Sequence, residues 1–167
     1  MAQPNVALNT IESFLAQKRI AIVGISRDPH NIGASLFEEF RRHGYEVFPV
    51  NPNTAGILGQ RCFARLQEIQ PPPDGAVLLT SPTVTSSVVH DCLEAGVKRV
   101  WMHRGGGQGA VSAEAVEFCR NNGMEVVPGQ CPFMFLAPVR HVHRFHRLLF
   151  KLSGKYPRKL KCEPCQA

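Results

Sequence analysis

The stretch Ile20-Ala21-Ile22-Val23-Gly24-Ile25-Ser26-Arg27-Asp28-Pro29-His30-Asn31-Ile32-Gly33 decides the fold. Its first six residues are apolar or glycine throughout. A continuous run of this kind suits a central parallel strand covered on both faces, because neither face meets water. A loop follows, and residues Ile32 to His43 have helical period with Leu36, Phe37 and Phe40 apolar. Gly44 reads as the stop of that helix. Strand, loop and helix make the opening half of a βαβ unit.

The alternation continues outward from this unit. Upstream, Asn9 or Thr10 can cap a short helix to about Gln17, with Ile11, Phe14 and Leu15 on one face. Downstream, Tyr45 to Val50 reads as a second strand, closed by Pro49 and Pro52. The loop Asn51 to Gly59 is rich in turn residues. A short helix over Ala64 to Ile69 ends at Pro71-Pro72-Pro73. Ala76 to Leu79 and Arg99 to Met102 read as the third and fourth strands. Between them, Val84 to Ala95 places Val84, Val88, Cys92 and Ala95 on one helix face. A helix from Ser112, its N-cap, to Asn122 precedes a fifth strand, Glu125 to Val127. Val139 to Leu152 has the pattern of a last, basic amphipathic helix.

Strict alternation implies a parallel sheet with right-handed crossovers. The expected fold class is therefore α/β: a three-layer, doubly wound Rossmann-type sheet of about five strands, with an added C-terminal basic helix. The strand order cannot be read directly from the sequence, and 2-1-3-4-5 is the order expected. The expected division is a domain over residues 1–138 and a helix and tail over residues 139–167. Sheets of this kind bind ligands at the carboxyl ends of their strands, where the strand order reverses. That directs attention to the loops after Ile25, Val50, Leu79 and Met102.

Composition limits the function classes. Of the 167 residues, 44% are hydrophobic and 19% charged, as in globular proteins. No stretch approaches the roughly 20 apolar residues of a membrane span. Met1 to Thr10 lacks the basic start and apolar run of a secretory signal. Six cysteines, with Cys62, Cys92 and Cys119 in or beside apolar segments, suit buried reduced thiols. A cytoplasmic location is expected. The net charge of +6 is unevenly spread: from Val139 onward eight Lys/Arg face one acid, Glu163, while the rest holds eleven basic and twelve acidic residues. The basicity belongs to the C-terminal segment.

The first loop departs from the dinucleotide pattern. Ser26 stands where Gly-x-Gly-x-x-Gly requires its second glycine, and Gly33 comes late. The second strand ends in Asn51 rather than the acidic residue that grips an NAD ribose. Gly24 and Gly33 suit either close approach to a phosphate at a helix N-terminus or tight strand–helix packing. The pieces Val23 to Pro29 with Ile32-Gly33, Gly44 to Pro52, Gly56 and Gly59, Asp74, Ser81-Pro82, Gly96-Val97-Lys98, Val100-Trp101-Met102 and Cys131 together resemble the CoA-binding domain family. That family is similar to the N-terminal domain of the succinyl-CoA synthetase α subunit.

The resemblance spans roughly Phe14 to Pro132 and implies a site. Gly24, Ser26, Arg27 and the helix start at Ile32-Gly33 would hold CoA phosphates. Pro49 to Pro52, with Asn51, would flank the nucleotide. Thr80, Ser81 and Pro82 would line the adenine or pantetheine wall. Met102, His103 and Arg104 would sit near the pantetheine arm. Chemistry agrees, since an arginine pairs bidentately with phosphate and a serine hydroxyl donates to it. In the synthetase a separate downstream domain carries much of the chemistry, and this sequence does not include one. The expected function is therefore binding of coenzyme A or an acyl-CoA, with no catalytic residue assigned.

Other features leave alternatives open. The loop His103 to Gly109 is glycine-rich but lacks the Lys-Ser/Thr ending of a P-loop. Cys131 is either a packing thiol or a partner for a CoA thiol. An NAD(P)-dependent or acyl-transfer enzyme using His103 or Cys131 is the competing class. Cys162 and Cys165, with His143 and His146, have a spacing that metal or redox sites use, but no second Cys pair exists. No metal is assigned. The basic segment suits nucleic acid or an anionic surface, or docking on the domain or on a second subunit of a homo-oligomer.

Overall fold

A computed structural model describes residues 6–104 and 109–136. In it the apolar run becomes the strand β1 (Arg19–Val23). The strands β2 (Glu46–Val50), β3 (Gly75–Leu78), β4 (Arg99–Met102) and β5 (Glu125–Pro128) complete one parallel sheet in the order β2-β1-β3-β4-β5. This is the expected order, which alternation alone does not dictate. The turn-rich segment after β2 holds a small antiparallel hairpin, Gly56–Ile57 against Gln60–Arg61. Among the described residues, α1 (Leu8–Leu15) precedes β1, and three helices join strands: α2 (Ile32–Arg42), α3 (Pro82–Glu94) and α4 (Ala113–Asn121).

Side-chain alternation along the strands builds two cores, one on each face of the sheet. Ala21 and Val23, Ala76 and Leu78, and Val100 and Met102 pack with Val88, Val89, Cys92, Val116 and Cys119 of α3 and α4. Ile20 and Ile22, Val77, and Trp101 pack with Ile11 and Phe14 of α1 and Leu36, Phe37 and Phe40 of α2. Both faces are therefore buried, as the unbroken apolar runs require. Gly75 lets α1 close on the sheet: a Cβ there would lie 2.8 Å from Phe14 Cε2.

Several boundaries differ from those expected, each for a physical reason. β1 stops at Val23, two residues early, because Gly24 turns the chain at φ +82°. α1 begins before Asn9 and Thr10, and neither caps it; its N-cap is Ala7, and burial of Ile11 and Phe14 sets its position. The helix expected over Ala64 to Ile69 contracts to a single 3₁₀ turn, Leu66–Glu68, where Leu66 and Ile69 are buried. α3 starts at Pro82, since proline suits the first helical position. Residues 139–152, with His143 and His146, and Cys162 and Cys165 lie outside the described residues. So do residues 105–108 of the glycine-rich loop. Among the described residues, no helix is long and apolar enough to cross a membrane.

The strand register matters for function. Val23 pairs with both Val50 and Leu78, Leu78 with Met102, and Met102 with Pro128. All five strands thus end nearly level, and the loops that follow them rise from one edge.

Candidate functional site

At that edge, between the ends of β1, β2 and β3, lies a cleft of about 400 Å³. Val23, Val50, Leu66, Val84 and Val88 give it an apolar wall, while Thr80, Ser87, Arg65 and Asp91 supply its polar side chains. A volume of this order suits a small-molecule site. The strand order reverses between β1 and β3, so the cleft occupies the topological switch point.

Gly24 makes this geometry. Its N–H donates to the Val50 carbonyl at 2.9 Å, and its φ of +82° sends the chain away from the strand. A Cβ at this position would lie 2.9 Å from Thr80 Cγ2 and 3.2 Å from Thr80 N. β1 and β3 can approach at the cleft floor only because residue 24 has no side chain.

The loop beyond Gly24 is held by its own polar groups. Asn51 Nδ2 donates to the Ile25 carbonyl at 2.8 Å, and Asn51 Oδ1 accepts from Asn53 N–H at 2.8 Å. Ser26 Oγ accepts from Asp28 N–H at 3.1 Å, and Asp28 Oδ1 accepts from His30 N–H at 2.9 Å. Asn31 caps α2, its Oδ1 accepting from Gly33 N–H at 2.9 Å. The Gly33 amide is therefore already engaged. A Cβ at Gly33 would meet Leu79 Cδ1 at 3.0 Å and Ile25 Cγ1 at 3.1 Å, so this glycine serves tight helix–strand packing. Ser26 can still donate its own proton, and Arg27 is exposed on the loop.

On the other wall, Thr85 is fully buried and gives its hydroxyl proton to the Ser81 carbonyl at 3.0 Å. A hydroxyl has one proton. In the 2.7 Å contact between Thr80 and Thr85, Thr80 must therefore be the donor. Thr80 is left to present acceptor lone pairs. The Ser81 side chain makes no cap bond to α3, so the first amides of that helix carry no side-chain cap beside the cleft.

The residues expected at the site are thus divided. Gly24, Pro52 and Thr80 line the cleft. Ser26 and Arg27 lie in the loop that continues from Gly24, Ile32 and Gly33 start α2, and Ser81 and Pro82 start α3. Asn51 positions the Ile25 carbonyl. Met102 is the last residue of β4, fully buried, and its side chain packs in the core. His103 is also buried, 6% exposed, with no partner at Nε2. Arg104 lies beside Gly129 at the end of β5. Neither His103 nor Cys131 lines the cleft, and burial pushes the Cys131 thiol above its ordinary value, toward its unreactive form. Arg65, Val84 and Asp91 were not expected at the site; no motif marks them. Asn31 was legible as an Asx residue immediately before a helix.

Burial lowers the His103 pKa from the ordinary 6.5. The unfolded chain therefore takes up a proton that the folded chain refuses, and stability falls as pH drops below about 6.5. In His103→Gln the loss of stability between about pH 7 and 5 is expected to be smaller than in the parent. Urea unfolding at several pH values measures this. Equal pH slopes in both proteins would refute it.

The CoA binding domain family matches residues 18–137. The uncharacterized protein YneT of Bacillus subtilis is 30% identical over 120 residues, covering 72% of this chain and 86% of YneT. The α subunit of an ADP-forming acetate–CoA ligase II of Pyrococcus furiosus is 26% identical over 128 residues, covering 72% of this chain but 28% of the subunit. A solved structure of a conserved hypothetical protein from Pyrococcus furiosus superposes with a TM-score of 0.61 at 33% identity, covering 68% of this chain and 95% of that one.

Proposed function

The chain belongs to the CoA binding domain family, and from that premise we propose that it binds coenzyme A or an acyl-CoA in the cleft at the ends of β1, β2 and β3. The observation that carries this reading is the cleft itself. It combines an apolar slot at the switch point with the start of α3, and the Ser26-Arg27 loop continues from Gly24 at its edge. The slot has room for the nucleoside portion, and Thr80 offers it a hydrogen-bond acceptor. Ser26, Arg27 and the uncapped amides of α3 suit the phosphates. The thiol arm or acyl chain then runs over the surface toward the end of β4.

The geometry disfavours NAD as the ligand. Both polar atoms of the Asn51 side chain are engaged within the loops, so no ribose clamp stands at the end of β2. The acetate–CoA ligases are named for a reaction that consumes CoA, but this chain spans about a quarter of such a subunit. The role proposed is binding, as a small cytoplasmic protein.

Calorimetric titration tests this. CoA is expected to bind, and Arg27→Ala to weaken it roughly ten-fold, the magnitude of one charge-assisted phosphate contact. NAD is expected to bind far more weakly. A folded protein that gives no heat with CoA would overturn the reading.

A further inference from the structure

Two charged side chains, Arg65 and Asp91, share the wall of the cleft. Arg65 comes from the extended residue before the 3₁₀ turn, and Asp91 from the third turn of α3. Arg65 Nη2 lies 3.5 Å from Asp91 Oδ1, with the side chains 63% and 41% exposed. A monodentate pair at that distance and exposure is weak and easily exchanged. Gln67 Nε2 also lies 3.5 Å from the same Asp91 oxygen, and 3.2 Å from Glu94 Oε2. Asp91 therefore keeps a donor if Arg65 departs. Arg65 is the one cationic side chain among the described residues that line the cleft. Apart from Asp91, its polar side chains are the hydroxyls of Thr80 and Ser87, and Ser87 gives its proton to the Val84 carbonyl at 2.9 Å.

We propose that Arg65 is a phosphate-binding residue of this cleft, held in reserve by Asp91. This rests on the reading of the cleft as a CoA site. A ligand phosphate offers the guanidinium two short, charge-assisted bonds in place of one long contact. Binding thus exchanges the Arg65–Asp91 pair for an Arg65–phosphate pair, while Asp91 turns to Gln67. Asp91 competes with the ligand for Arg65 and so sets the affinity. The pair favours ligands that carry a phosphate over uncharged ones of the same shape.

A double-mutant cycle read by calorimetry with CoA tests the proposal on the full chain. Both side chains are well exposed, so the variants should fold, and thermal melts check this. Arg65→Ala is expected to weaken CoA binding roughly ten-fold. Asp91→Asn is expected to tighten it roughly two- to five-fold, by releasing Arg65. In the Arg65→Ala background, Asp91→Asn is expected to change nothing. Equal tightening in both backgrounds would mean that Asp91 simply repels the ligand, and would overturn the proposal. So would unchanged CoA affinity in Arg65→Ala while Arg27→Ala weakens it; in that case the cleft reading stands and this inference falls. Absence of CoA binding by the parent chain would remove both.

Discussion

Trp101→Ala is expected to lower the stability of the fold by about 3–5 kcal/mol, a large part of the 5–15 kcal/mol typical of a domain. Trp101 is fully buried at the centre of β4. Its ring meets Phe14 edge-on, with centroids 5.2 Å apart and planes at 76°, and Phe135 at 6.0 Å. Its Nε1–H donates to the Gln130 carbonyl at 2.8 Å. One side chain therefore ties α1, β4 and the segment after β5 together. Alanine would leave a cavity between elements that Gly75 already brings close, and an unpaired carbonyl. Trp101→Phe keeps most of the ring and loses the hydrogen bond, so about 1–3 kcal/mol is expected there. Chemical unfolding followed by circular dichroism measures both, because Trp101 is the sole tryptophan and its fluorescence is lost. A midpoint shift in Trp101→Ala no larger than in Trp101→Phe would show that the aromatic packing contributes little.

Gly24→Val is expected to abolish CoA binding, by more than roughly 100-fold, and to destabilise the fold as well. A left-handed backbone costs a side-chain-bearing residue about 1–2 kcal/mol, and a β-branched residue meets it least easily. The new Cβ also lies inside contact distance of Thr80, including its backbone nitrogen. Backbone cannot swing aside, so β1 and β3 must part at the cleft floor. Gly44→Ala is the control. Gly44 has nearly the same φ, +81°, but nothing lies within 4 Å of its Cβ position, and it sits at the opposite end of α2. It is expected to cost about 1 kcal/mol of stability and leave CoA affinity unchanged. If Gly24→Val binds CoA as tightly as Gly44→Ala does, the cleft floor is not the binding surface.

The fold was legible because long apolar runs admit few alternatives. The run at Ile20 demanded cover on both faces, and alternation with helices then implied a parallel sheet. Alternation alone does not dictate strand order, which depends on which edge each crossover takes. The site was legible only in part. Gly24 and Thr80 stand at strand ends, where position alone marks them. The burial of Met102 was less legible: a strand buried on both faces shows no polar–apolar contrast, so the sequence does not reveal which core its last residue enters. Asn51 reads as a ligand contact at a strand end, yet it spends both polar atoms on neighbouring loops. Arg65 and Asp91 lie 26 positions apart and meet only through packing of the 3₁₀ turn on α3, which no local pattern announces.

Occupancy of the cleft between β1, β2 and β3 by CoA is read by amide hydrogen exchange of the chain with and without saturating ligand. Slowed exchange is expected in three segments at or adjoining the cleft: residues 24–35, 50–66 and 80–91. Protection confined to residues 109–136, or none at saturation, would contradict occupancy of the cleft.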